Sequence, residues 1–176
     1  HSGSLKKGQK VVILPSGIKT KLDKIYDYKK IIDFAPTNKA ITFTLTDNVD
    51  LSRGDMIADL NKPAQLANQF NINMIWMDDN KFVSGKTYLI KVQAKTLSAR
   101  ILIKNRIDIN NFSKIKSNKL SINEIGECEI IFQKPIVYEK YSYNKILGSM
   151  IMIDPFTNAT SAVGMINFAL RRSKNL

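Results

Sequence analysis

Asp78 and Asp79 stand side by side next to Asn80. Paired carboxylates could serve acid–base or calcium chemistry, but a calcium loop needs several oxygens at set spacing, and these three residues do not supply them. We read them as a solvated turn at a strand end. The one cysteine, Cys128, could be a nucleophile, yet it alternates in phase with Ile130 and Phe132 and is expected to lie in the core. The one histidine is His1, so neither a Ser-His-Asp nor a Cys-His arrangement is expected inside a folded site. No C-x-x-C or H-E-x-x-H offers zinc a site, and no G-x-x-x-x-G-K-[ST] loop offers one to phosphate. Trp76 could stack on a ligand, but its alternation with Phe70, Ile72 and Met74 points inward. Arg100 and Arg106 flank Ile101-Leu102-Ile103, where they suit an acidic partner or an ion pair equally well. Arg53-Gly54-Asp55 is read as a turn. We therefore expect no catalytic, cofactor-binding or metal-binding residue in this chain.

The elements that carry these residues read as strands. Ile41, Phe43 and Leu45 alternate with Thr42, Thr44 and Thr46, which puts three apolar side chains on one face of a half-buried strand, 40–46. Further strands are expected at 10–14, 18–28, 56–60, 70–77, 86–93, 97–104, 127–133, 150–153 and 162–170. Pro15-Ser16-Gly17 punctuates the first two as a tight turn. The segment 113–125 alone hints at helix, with a single turn at 120–126 closed by Gly126. Many short strands separated by turn signals define an all-β sandwich or barrel.

The chain has 176 residues, 44% of them hydrophobic, which suffices for one domain or two small ones with a real core. No apolar run approaches the roughly 20 residues needed to span a bilayer. No signal-peptide pattern opens the chain, and one cysteine cannot form an internal disulfide, so a reducing compartment, the cytoplasm, is expected. The net charge is +12, carried by 22 lysines and only 5 arginines, alongside 24 isoleucines and 16 asparagines. That excess is what an A+T-rich genome imposes. Arginine, favoured for bidentate phosphate and base contacts, is scarce, and the lysines are scattered. Nucleic acid is thus a secondary expectation.

Larger patterns then emerge. Gly3, Leu5, Gly8-Gln9, Val11 and Ile13-Leu14-Pro15-Ser16-Gly17, with Ala40-Ile41, Leu45, Asp47 and Val49-Asp50-Leu51-Ser52-Arg53-Gly54-Asp55, resemble the second domain of elongation-factor-like GTPases. Within that superfamily the sequence looks most like one branch, the large, GTP-hydrolysing subunit of bacterial sulfate adenylyltransferase. Trp76-Met77, Gly85, Tyr88, Ile90-Lys91, Asp108-Ile109-Asn110, Leu120, Asn123-Glu124-Ile125-Gly126, Asp154, Thr157-Asn158, Thr160 and Gly164-Met165-Ile166 extend the likeness over nearly the whole chain. Ser161 and Val163 depart from it, where the branch usually has Val and Ala.

The resemblance implies an all-β chain of two consecutive barrels, like domains two and three of translation-type GTPases. The expected organisation is a first barrel at 1–62 lacking its N-terminal strand, a linker at 63–69, a second barrel at 70–170 and a basic tail at 171–176. An open barrel edge is expected near Lys10–Leu14. The implied whole protein helps make adenosine 5′-phosphosulfate from ATP and sulfate in sulfate assimilation. Its GTP and Mg²⁺ would sit in an N-terminal domain, so this chain alone is expected to have no turnover. The implied partners are the small catalytic subunit and that GTPase domain, with no membrane. Two rivals stay open: an RNA-binding module of a translation-factor-like GTPase, and a non-catalytic protein-interaction barrel.

Overall fold

The computed structural model describes residues 3–172. They form strands and turns without a helix, and they fall into two compact units, divided between Gln65 and Leu66.

The first unit is a half-barrel. Lys10–Leu14 and Ile18–Asp27 pair through Lys10↔Lys21 and Ile13↔Ile18 around the Pro15–Gly17 turn. Gly17 closes that turn at φ 78°, donating its N–H to Ile13 O at 2.8 Å. Thr42–Leu45 and Lys30–Ile32 add to Ile18–Asp27, and Met56–Asp59 adds to Lys10–Leu14. Val11, Ile13, Leu22 and Ile25 are buried inside. Lys10–Leu14 is thus hydrogen-bonded on both sides, and the expected open edge is not there. It falls on Met56–Asp59, which ends the sheet, because Val11↔Asp59 and Leu14↔Met56 fill the flank of Lys10–Leu14 that was expected to be bare.

The second unit is a closed ring of six strands. Its order is Thr87–Val92, Ser149–Ile153, Thr160–Arg172, Gln65–Trp76, Ile125–Tyr138 and Lys95–Ile107, and the last pairs back to the first. Closure leaves this ring without a bare edge. Inward positions carry Phe70, Ile72, Met74, Ile90, Ile101, Cys128, Ile130 and Phe132, all essentially inaccessible. Phe70 meets Phe132 and Tyr138 edge-on, with centroids 6.0 and 4.8 Å away.

Three further expectations need correction. The linker begins too late and runs too long: Gln65–Trp76 is one strand, and residues 65–69 belong to it. Alternation is broken there by a register shift around Asn68, between Arg171↔Gln69 and Arg172↔Ala67, which hides the strand in the sequence. The helical turn at 120–126 is absent. Asn123 N–H donates to Trp76 O at 2.8 Å and Trp76 N–H to Glu124 O at 3.1 Å, so a strand takes the groups a helix would need. Asn123 also sits at φ 65°, outside helical space. Gly126 lies in the Ile125–Tyr138 strand, where a Cβ would come within 2.7 Å of Leu120 Cδ1. Packing, not chain reversal, requires this glycine. Finally, Arg171 and Arg172 of the expected tail extend the Thr160–Arg172 strand. Residues 173–176 of the tail, and His1, lie outside the described residues.

Candidate functional site

Trp76, Asp78, Cys128, Arg100 and Arg106 are each engaged in structure, while Asp79 is exposed. Trp76 is buried, its ring centroid 5.1 Å from Phe82, and its Nε1–H donates to Asn80 O at 2.7 Å. Asp78 Oδ1 accepts from Asn80 N–H at 2.9 Å, while Oδ2 accepts the Ser161 hydroxyl at 3.1 Å. This carboxylate ties the ends of two neighbouring strands. Cys128 is fully buried, and desolvation, helped by the nearby Glu127 charge, pushes its thiol up to about 12. It is a core residue with almost no thiolate at neutral pH. Arg100 Nε donates to Gly85 O at 3.2 Å, and Arg106 pairs with Glu124 at 2.8 Å. In the Arg53-Gly54-Asp55 turn, Asp55 accepts from Ser52 N–H at 3.0 Å and Gly54 adopts φ 89°. Among the described residues no cluster of His, Cys, Asp or Glu could hold a metal ion. No helix among the described residues is long and apolar enough to cross a membrane.

What distinguishes the second unit is its outer face, which has two unlike halves. On one half, side chains from neighbouring strands form a polar lattice. Glu127 accepts from Asn105 at 2.9 Å, Lys114 at 3.0 Å and Asn71 at 3.3 Å. Glu129 accepts from Gln69 and pairs with Lys104 at 2.8 Å. Asn167 Nδ2 donates to Asn71 Oδ1 at 2.7 Å and to Asn73 Oδ1 at 3.0 Å. The amide of Asn105 first, then Lys114, holds the Glu127 carboxyl below its usual range, against the opposing effect of desolvation.

A pH prediction follows for Glu127. A depressed folded pKa stabilises the fold above the unfolded value, about 4.3, and that contribution fades as pH falls through the folded value. Melting temperature should therefore drop more steeply with acidification in the parent chain than in Glu127→Gln. Thermal melts between about pH 3 and 7 check this, and parallel curves would refute it.

The other half of the face is apolar. In register across four strands run Lys91↔Ile151, Ile151↔Val163 and Val163↔Ile75. Met165 lies in the next row, opposite Ser149. These form the floor of a groove of about 700 Å³, whose wall is the 139–148 loop with Tyr141, Lys145 and Ile146. Gly148 anchors that loop: its N–H donates to Asn144 O at 2.9 Å and its carbonyl accepts from Ile166 N–H at 2.8 Å. Asn144 Oδ1 in turn accepts from the N–H groups of Ile146 and Leu147 at 3.1 Å. The sequence reading passed over this groove. Its signal is apolar residues on both faces of one strand: Ile75 beside inward Met74 and Trp76, and Val163 and Met165 beside inward Ala162 and Ile166.

Two successive all-β units, a half-barrel and a closed six-stranded barrel, define a two-barrel module of the translation-GTPase type. The fold matches that of sup35 complexed with GDP at a TM-score of 0.85 and 17% identity, covering 97% of this chain and 42% of that one. The chain belongs to the GTP-eEF1A C-terminal domain-like family, whose model matches residues 69–167. It is similar to sulfate adenylyltransferase subunit 1 of Buchnera aphidicola subsp. Acyrthosiphon pisum (strain Tuc7), 36% identical over 168 residues, covering 94% of this chain and 35% of that protein. It is also similar to bifunctional enzyme CysN/CysC of Xylella fastidiosa (strain Temecula1 / ATCC 700964), 32% identical over 176 residues, with 99% and 28% coverage. The chain thus spans between 28% and 35% of the length of these relatives.

Proposed function

We propose that these two units serve a GTP-hydrolysing subunit of sulfate adenylyltransferase in the cytoplasm. There they would relay the nucleotide state of an N-terminal GTPase domain to a small catalytic subunit that makes adenosine 5′-phosphosulfate from ATP and sulfate. The observation that carries this reading is the similarity to sulfate adenylyltransferase subunit 1 across 94% of the chain. The engagement of Asp78, Cys128, Arg100 and Arg106 in structural contacts supports a relay rather than a reacting role. A relay works only if its contacts differ between the two nucleotide states. The testing experiment is a pull-down with purified small subunit. Recovery supports the reading, and failure to recover it favours a barrel adaptor for some other protein.

GTP and Mg²⁺ belong, in this reading, to the GTPase domain. Titrating them against this chain should leave its melting temperature unchanged. A ligand bound only by the folded state at a hundred times its dissociation constant would add about 2.7 kcal/mol. A saturable rise in a thermal-shift assay would therefore refute the assignment.

The net charge of +12 favours a second reading, an RNA-binding module of a translation-factor-like GTPase. Phosphate binding weakens steeply as salt rises, through counterion release. Tight RNA binding with such a slope would move the assignment to this alternative.

A further inference from the structure

The apolar half of the second unit's outer face calls for a covering partner. Ile75, Val163 and Ile151 stand opposite one another on three adjacent strands, and Met165 lies in the neighbouring row. Outward positions elsewhere on the same ring carry Gln69, Asn71, Asn73, Asn105, Glu127, Glu129 and Asn167, each hydrogen-bonded to another of them. That polar lattice covers one part of the ring's outside, and the aliphatic row lies apart from it, as do the exposed Phe168 and Leu170 farther along Thr160–Arg172. Ile75, Ile151, Val163 and Met165 are half-buried, not enclosed, and partly accessible apolar surface rimmed by polar groups is characteristic of interaction sites. Ile146, exposed on the loop, adds to it from above.

Charge selects the occupant. Lys91 closes one end of the aliphatic row through its register with Ile151, and Lys145 rises from the loop wall. Both are exposed, neither has an ion-pair partner among the described residues, and no carboxylate lines the groove. A second copy of this chain would bring its own excess of positive charge, net +12, against these lysines. The carboxylates Glu127 and Glu129 of such a copy are already held by Lys114 and Lys104. RNA would find two lysines, no arginine and one aromatic side chain, Tyr141, over an aliphatic floor, where single-strand binders present several aromatic stacking surfaces.

We propose that this groove docks a protein segment in which aliphatic side chains are flanked by carboxylates. The aliphatic side chains lie on Ile75, Ile151 and Val163, and the carboxylates reach Lys91 and Lys145. This inference goes beyond the sulfate-activation reading and does not depend on it.

The probe is a short fluorescein-labelled peptide of leucines flanked by glutamates, titrated with the full chain and read by anisotropy. Saturable binding is expected. It should be lost when lysine replaces each glutamate and also when serine replaces each leucine. Val163→Asp on the floor and Lys145→Glu on the loop should each weaken it by at least about tenfold. Lys29→Glu, on the first unit, should leave it unchanged. A thermal melt of each variant guards against unfolding, and Lys145→Glu keeps the test alive if Val163→Asp does not fold. Four results would overturn the proposal: no saturation, equal binding of the serine peptide, indifference to both groove substitutions, or displacement by a single-stranded RNA oligomer as effectively as by unlabelled peptide. Groove-dependent self-association in sedimentation, in place of peptide binding, would also overturn it, in favour of a second copy.

Discussion

Gly148→Ala is expected to destabilise the second unit by about 3 kcal/mol, the upper end of the cost of overpacking. A Cβ built on Gly148 would lie 2.4 Å from the backbone N and Cα of Tyr141 and 2.8 Å from Asn144 O. Backbone atoms held by hydrogen bonds yield far less than side-chain tips. Tyr141 N–H donates to Ile166 O at 2.9 Å and Ile166 N–H donates to Gly148 O at 2.8 Å, so the loop cannot retreat without breaking its attachment to the Thr160–Arg172 strand. For a unit of this size the loss lowers the melting temperature by roughly 10–20 °C. Gly164→Ala is the informative contrast. There the closest atom is Met150 Cγ at 2.9 Å, on a flexible side chain that can shift. A Gly148→Ala melt no lower than that of Gly164→Ala would show that the loop is not packed as described. The same substitution should also weaken peptide binding at the groove, since the loop is its wall.

Phe70→Ala is expected to cost about 3–5 kcal/mol, the range for deleting a fully enclosed aromatic side chain. Phe70 is 0% exposed and makes edge-on contacts with both Phe132 and Tyr138. Removing its ring leaves a cavity in the middle of a closed barrel, whose wall cannot collapse without breaking strand pairing. Urea denaturation followed by tryptophan fluorescence measures it. The one tryptophan, Trp76, is buried in this unit, so the signal reports this barrel and not the half-barrel. Phe156→Ala, at a side chain 92% exposed, should change stability by no more than about 0.5 kcal/mol. Equal midpoints for the two variants would exclude Phe70 as a core anchor.

The sequence reveals the strands wherever one face is apolar and the other polar. Phe70, Ile72, Met74 and Trp76 announce their strand, as do Cys128, Ile130 and Phe132, and the structure buries every one of them. Alternation fails where the outward face is itself specialised. Residues 65–69 read as linker because a register shift near Asn68 breaks the period, and because Gln69 faces Glu129 across the polar lattice. Residues 120–126 read as a helical turn because local composition carries no record of Trp76, the distant residue that claims their hydrogen bonds. The groove escaped notice for a related reason. Ile75, Ile151 and Val163 come from three separated segments, and only the strand register makes them neighbours. By contrast, the burial of Cys128 was legible from residue types alone, because it stands in phase with Ile130 and Phe132.

The ring is completed by pairing Gln65–Trp76 with Thr160–Arg172, and Asn167 reaches back to Asn71, 96 residues earlier. Its seam therefore joins the two ends of the unit, and the loop-closure entropy of nearly the entire barrel must be met before those contacts can offset it. Such long-range topology sets folding on the millisecond-to-second scale rather than the microsecond one. During synthesis on the ribosome the barrel stays unsealed until Thr160–Arg172 emerges. Until then Gln65–Trp76 presents an unpaired flank to other nascent chains, so the interval before that strand arrives is when the molecule is most exposed to aggregation.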